Sequence, residues 1–131
     1  MDNIYPDSSK VIKYQDDYKR NSFIKRVREF KENPIGQNKI VFLGNSITNG
    51  LRRHFSKFNR SDVVNRGIDG DISLGVLERL DEIIYYKPKA VFILIGLNDF
   101  FNDLTKMPGV TPNFVTKNII KAANKIQRGS P

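Results

Sequence analysis

Three apolar runs in this chain each stop at small and polar residues. "KIVFLG" hands over to Asn45-Ser46, "DVVNRG" ends at Gly67, and "KAVFILIG" runs into Leu97-Asn98-Asp99. A hydroxyl, a backbone N–H and a carboxamide are the parts that acyl transfer from an ester requires. The hydroxyl attacks, and the donors stabilise the oxyanion that develops on the carbonyl. Ser46, at a strand-to-helix turn, would sit where backbone N–H groups and the helix dipole favour negative charge. Gly67 lets a backbone N–H approach a ligand with no side chain in the way. Asn98 brings a neutral amide donor that does not ionise. The plainer alternative makes Ser46 a helix cap and the glycines the turn residues of any α/β protein.

Such residues matter only if the elements around them converge. From about Asp16 to Lys31, Phe23, Ile24, Val27 and Phe30 recur at helical spacing, and Pro34 and Gly36 break the pattern. Residues 39–44 lack polar alternation, as does a strand of a parallel sheet buried on both faces. A short helix is expected over 46–58 and a second strand over 62–67. "DISLGVLERLDEIIYYKP" reads as one helix, with Leu77, Leu80, Ile83 and Ile84 on one face. Asp71 or Ser73 is the expected cap and Pro88 the stop. The third strand spans 89–96. After the loop "LNDFFNDLTKMPGV", Thr111 caps a last helix whose first position is Pro112. Residues 1–14 read as an extended lead-in.

Strands alternating with helices predict a single α/β domain: a three-layer α/β/α arrangement whose parallel, flavodoxin-like sheet has three strands here. In such sheets ligands bind beyond the carboxyl ends of the strands. All three polar clusters lie at those ends.

Composition narrows the chemistry. With 131 residues and no cysteine, the chain has no disulfide, thiolate or Cys-built metal site. His54 is its one histidine, so neither metal nor cofactor is expected. Placed eight residues beyond Ser46, it would lie about 12 Å along a helix, out of reach for a general base. No apolar stretch approaches the ~20 residues of a bilayer span, and the start lacks a basic-then-apolar order, so no membrane span and a cytoplasmic location are expected. The formal charge is 22 − 14 = +8. Part of it is a stripe of Lys117, Lys121, Lys125 and Arg128, with Val115, Ile119, Ala122 and Ile126 on another face. This reads as a solvated face opposite a packed one, and no nucleic-acid motif accompanies it. Gly44 to Arg52 fits neither a P-loop nor a dinucleotide fingerprint. A flavodoxin-like binder of phosphate or another small ligand remains the second reading.

"GNSIT", "NRGIDGD" and "GLND", in this order, resemble three of the four sequence blocks of the SGNH hydrolases, the GDSL-type esterases and lipases. The likeness extends over residues 39–99 and is strongest to the platelet-activating-factor acetylhydrolase-like and carbohydrate acetylesterase-like branch. The resemblance implies Ser46 as nucleophile, with its own N–H, the Gly67 N–H and the Asn98 amide as oxyanion donors. It implies a small-molecule ester substrate with a short acyl group, an acylated carbohydrate among the options. Asn45 stands where the family has aspartate. The fourth block, Asp-x-x-His, has no counterpart between Gly96 and Pro131. The expectation is a C-terminally truncated member whose general base lies in a missing segment. Asp69, Asp71, Asp99 and Asp103 surround the expected site without replacing that base. Phe100, Phe101, Leu104 and Met107 are candidates for an acyl-pocket wall.

Overall fold

In the computed structural model, which describes residues 2–101 and 107–129, β1 (Ile40–Gly44) lies between β2 (Val63–Gly67) and β3 (Ala90–Leu94). Both pairings are parallel, so the sheet order is β2-β1-β3. Five helices accompany it among the described residues: α1 (Asp17–Glu32), α2 (Ser46–Gly50), α3 (Ser73–Glu78), α4 (Leu80–Tyr86) and α5 (Pro112–Gly129). The three strands and the α/β class are those expected.

Strand side chains alternate between faces. In the observed register Val41 and Leu43 share a face with Val64, Val91 and Ile93. That face carries the main core, against Val76, Leu80 and Ile83 of the middle helices and Ala122 and Ile126 of α5. The opposite face is thinner. A 3-10 segment, Leu51–Phe58, brings Phe55 and Phe58 onto Phe42, with ring centroids 5.3 and 6.2 Å from it. This cover stops short of the outer strand: Phe92 is 60% exposed and Leu94 52%. The expected burial on both faces is therefore incomplete along β3.

A second core lies under α1, where Phe23, Val27 and Phe30 meet Ile12, Ile68 and Ile72. It pins the lead-in, since Ile12 is buried and Arg20 donates to the Ser8 and Lys10 carbonyls at 2.8 Å each. Asp16 caps α1 by accepting from the Lys19 N–H at 2.8 Å. Thr111 Oγ1 accepts from the Phe114 N–H at 3.1 Å, the cap expected for α5. No helix among the described residues is long and apolar enough to cross a membrane.

The one long helix expected over 71–88 is two. Arg79 leaves helical geometry (φ −123°, ψ 24°) between α3 and α4. Its guanidinium turns inward, donating to Asp71 at 2.7 and 3.0 Å, to the Arg66 carbonyl at 2.7 Å and to the Gly44 carbonyl at 3.0 Å. Those four bonds are made at the break, where the helix gives up its regular geometry.

Both partners of this ion pair are buried. Removing one leaves an uncompensated charge inside, typically a loss of about 3–5 kcal/mol. R79M is expected to lose that much in urea unfolding. A loss within the noise of a surface substitution would show that the break is not held by this pair.

Candidate active site

The carboxyl ends of the strands meet in register: Gly44 is opposite Gly67 on one side and Leu94 on the other. Asn45 is buried at the turn out of β1, and its Oδ1 accepts from the Ile47 N–H at 3.1 Å, capping α2. An asparagine makes this bond as well as an aspartate does. Ser46 opens α2 and is exposed.

The Gly67 end differs from expectation. Its N–H donates to Asn65 Oδ1 at 2.8 Å, within a buried turn, and so is already engaged. The space a Cβ would fill at Gly67 is taken by the backbone of Asn49 and the Asn45 carbonyl. Asn65 completes the junction by donating to the Thr48 carbonyl at 2.6 Å. Gly67 is thus required for close approach of α2 to β2, and as an open oxyanion donor it is corrected. Three residues on, Gly70 sits at φ +77° in a turn closed by the Asp71 N–H on the Ile68 carbonyl at 3.1 Å. Among the described residues the Gly70 N–H has no acceptor. The Asp-Gly pair is an ordinary turn signal, and it was the available clue to this position.

Asn98 lies in a 3-10 turn, Leu97–Phe100, beyond β3, and its amide donates to the Asp71 carbonyl at 3.0 Å. Asn49 reaches the same turn from α2, donating to Asp69 at 2.8 Å. Side chains from the ends of β1 and β3 therefore grip one turn, residues 68–71, after β2. Asp99 sits beneath, accepting from the Ser73 N–H at 2.9 Å and from its hydroxyl at 2.7 Å. It thereby caps α3 from 26 positions away, where a local cap by Asp71 or Ser73 was expected. Asn118 of α5 adds a bond to the Ser73 hydroxyl at 2.9 Å. Asp71 instead faces Arg79 and the Ile72 N–H. Neither the Asp71–Arg79 pair nor the Ser73–Asp99–Asn118 chain has a sequence signature.

Two hollows lie at the turn into α2, one lined by Asn45 and Ile47, the neighbours of Ser46, and the other by Ser46. One, of about 410 Å³, is lined chiefly by apolar groups, including Ile47, Leu94, Leu97, Phe100 and Val115. The other is open and polar, formed by Ser46 itself with Asn49, Gly50, Arg52, Arg53 and Asp69. Of the expected wall residues, Phe100 lines the apolar hollow. Phe101 and Met107 line neither hollow. Leu104 and Asp103 lie outside the described residues. His54 is exposed on the 3-10 segment and lines neither hollow. Among the described residues no cluster of three His, Asp or Glu could hold a metal ion. Asn49 Oδ1 is buried and has no hydrogen-bond partner among the described residues.

No protein-family model matches the chain, and no curated protein matches it either.

Two outcomes follow from this geometry. G67A forces a methyl into the α2 backbone and should cost about 1–3 kcal/mol, as overpacked sites do; unchanged thermal unfolding would contradict the close approach. Burial raises the Asp99 carboxyl above its ordinary value, against the lowering effect of its bonds to Ser73. The folded chain thus holds this proton more tightly than the unfolded chain. The associated stability is present at acid pH and is lost as pH rises through the raised value. Urea midpoints of D99N should consequently fall less than wild type between about pH 4 and neutrality. Parallel pH profiles for the two proteins would refute the shift.

Proposed function

We propose that this chain carries the nucleophile and oxyanion half of a serine esterase of the SGNH type. The observation that carries this reading is Ser46, exposed on a buried, side-chain-capped turn between an apolar hollow and a polar one, with Asn98 anchored to the neighbouring turn. In this scheme the Ser46 hydroxyl attacks the ester carbonyl, and a tetrahedral oxyanion forms. The Ser46 N–H and the Asn98 amide are donors to it. The Gly70 N–H, unpaired at its turn, replaces Gly67 as the second backbone donor. The acyl group occupies the apolar hollow and the alcohol leaves through the polar one. Collapse expels the alcohol, and water then hydrolyses the acyl-enzyme.

A short acyl chain is what the resemblance implies, and the apolar hollow has room for it. The substrate class that the resemblance implies, an acetylated small molecule such as an acylated sugar, fits a hollow whose alcohol side carries polar and charged groups.

The scheme needs a proton acceptor for the Ser46 hydroxyl, and the only imidazole of the chain lies outside both hollows. Asp69 shares the polar hollow with Ser46 but is engaged by the Asn49 amide at 2.8 Å, and in this scheme the base is an imidazole outside the described residues. Alone, the chain should hydrolyse p-nitrophenyl acetate little above background, and added imidazole should raise its rate beyond the imidazole-only reaction. S46A should abolish that rescue. N98A should lower it by about 10²–10³, the usual effect of losing one oxyanion donor. Equal rescue of wild type and S46A would end the esterase reading, whereas strong Ser46-dependent turnover without imidazole would show a base within the chain.

A further inference from the structure

Half of the net charge of this chain sits on one helix. Lys117, Lys121, Lys125 and Arg128 supply four positive charges against a total of +8, and residues 104–131 contain no aspartate or glutamate. By helical geometry the four fall within an arc of about 80° on α5 and along about 16 Å of its length. All four are exposed. Elsewhere on the surface Lys10, Arg52, Arg60 and Lys89 each find a carboxylate. Among the described residues none of the four on α5 is in an ion pair.

Two further observations separate this row from an ordinary solvated face. The helix that carries it is held from behind: Val115, Ala122 and Ile126 are buried, and Asn118 bonds the Ser73 hydroxyl of α3 at 2.9 Å. In front, Ile120 stands 54% exposed. It lines a hollow of about 320 Å³ together with the four cations and Asn124. On the other flank of α5, Ala123 and Gln127 line a separate hollow with Ala90, Val91 and Ile93. A strand added beside β3 would meet that flank and leave the cations facing solvent.

We infer that this face of α5 docks on an anionic lipid surface, with Ile120 entering the boundary between headgroups and acyl chains. A straight row of cations on a fixed helix meets a flat sheet of negative charge along its whole length. Attraction to acidic headgroups reaches about 10 Å at ordinary ionic strength, and each lysine or arginine adds to it. Lysine stems are apolar, so the ammonium groups stay at headgroup level while the stems and Ile120 cover hydrocarbon. Nucleic acid fits these residues less well. A single-strand site stacks bases on aromatic rings, and this hollow has none. Three of the four cations are lysines, point charges without the two-pronged fork that grips a phosphate. An exposed isoleucine gains nothing from a phosphate backbone, whereas lipid removes it from water. The contact is peripheral, because the apolar face of α5 stays in the protein core.

Co-sedimentation of the whole chain with vesicles tests this. It should bind phosphatidylcholine vesicles containing about one-third phosphatidylserine, and not phosphatidylcholine alone. Salt near about 1 M, where screening shortens to about 3 Å, should release it. Each cation is worth roughly fivefold near such a surface, so K117Q/K121Q/K125Q should lower partitioning about a hundredfold. K25Q/R28Q/K31Q removes the same net charge from exposed positions of α1 and should keep most of the binding. I120S should weaken it severalfold, and all variants should keep the wild-type circular dichroism. The chain lacks cysteine, so N124C takes a polarity-sensitive dye at one place. Its emission should shift to the blue when anionic vesicles are added, and that of labelled Y18C should not. No preference for anionic vesicles, equal losses in the two triple variants, full binding by I120S, or an unshifted N124C label would each overturn the inference. So would tighter binding of single-stranded poly(U) than of the vesicles through the same three lysines.

Discussion

The Arg79 guanidinium ties the ends of two neighbouring strands to the turn after the second: it bonds the carbonyl at the end of β1, a carbonyl near the end of β2, and the carboxylate of Asp71 in the turn that follows. Carbonyls at the buried end of a sheet keep lone pairs that the ladder does not use, as at Gly44, which accepts from the Ile68 N–H at 3.0 Å and still has room for a second donor. Here a single side chain serves two of them and is neutralised by the third partner. Arg66 and Arg26 extend the arrangement. Arg66 forms a two-pronged pair with Glu82 at 2.9 and 3.0 Å, and Arg26 donates to the Gly67 carbonyl at 2.9 Å. Arg66 and Arg26 stack over the Phe30 ring, 4.4 and 4.6 Å from its centroid, and Arg79 lies 5.9 Å from it. The ring lies among cations whose planar groups fit its face.

This packing explains how the carboxyl edge can be polar and still well ordered. Beneath Ser46, Asn45 caps α2 locally, and three side chains reach across from another element: Asn65 onto Thr48, Asn49 onto Asp69, Asn98 onto Asp71. Such bonds fix directions as well as positions. An exposed hydroxyl standing on a base of this kind differs from a serine on a loose loop, because the direction of its Cα–Cβ bond is fixed by the packing beneath it.

Much of the frame was legible from the chain alone, because periodicity reports burial. Val41 and Leu43, Phe23 and Phe30, and Ala122 and Ile126 all lie in the cores that their spacing implied. The Thr111-Pro112 start of α5 was readable from local chemistry. What escaped was determined by partners distant in sequence. The break at Arg79 falls within an unbroken helical pattern and arises from carbonyls of residues 44 and 66. The cap on α3 comes from Asp99. Gly67 was read as an opening for a ligand, yet the backbone of α2 fills that opening. A glycine reports that something comes close; it does not say what.

The order of the strands also bears on how the chain reaches this state. β1 is made first and lies in the middle, so its two neighbours arrive only after roughly twenty and fifty further residues have left the ribosome. Until then "IVFLG" has no strand to pair with. Its early company is α1, whose core residues adjoin Ile68 and Ile72 rather than β1 itself. Parallel pairing across such separations is slow, because each loop must close before its contacts repay the lost freedom. Nascent chains of this protein should accordingly depend on holdase protection through the synthesis of β3, a dependence that arises from strand order alone.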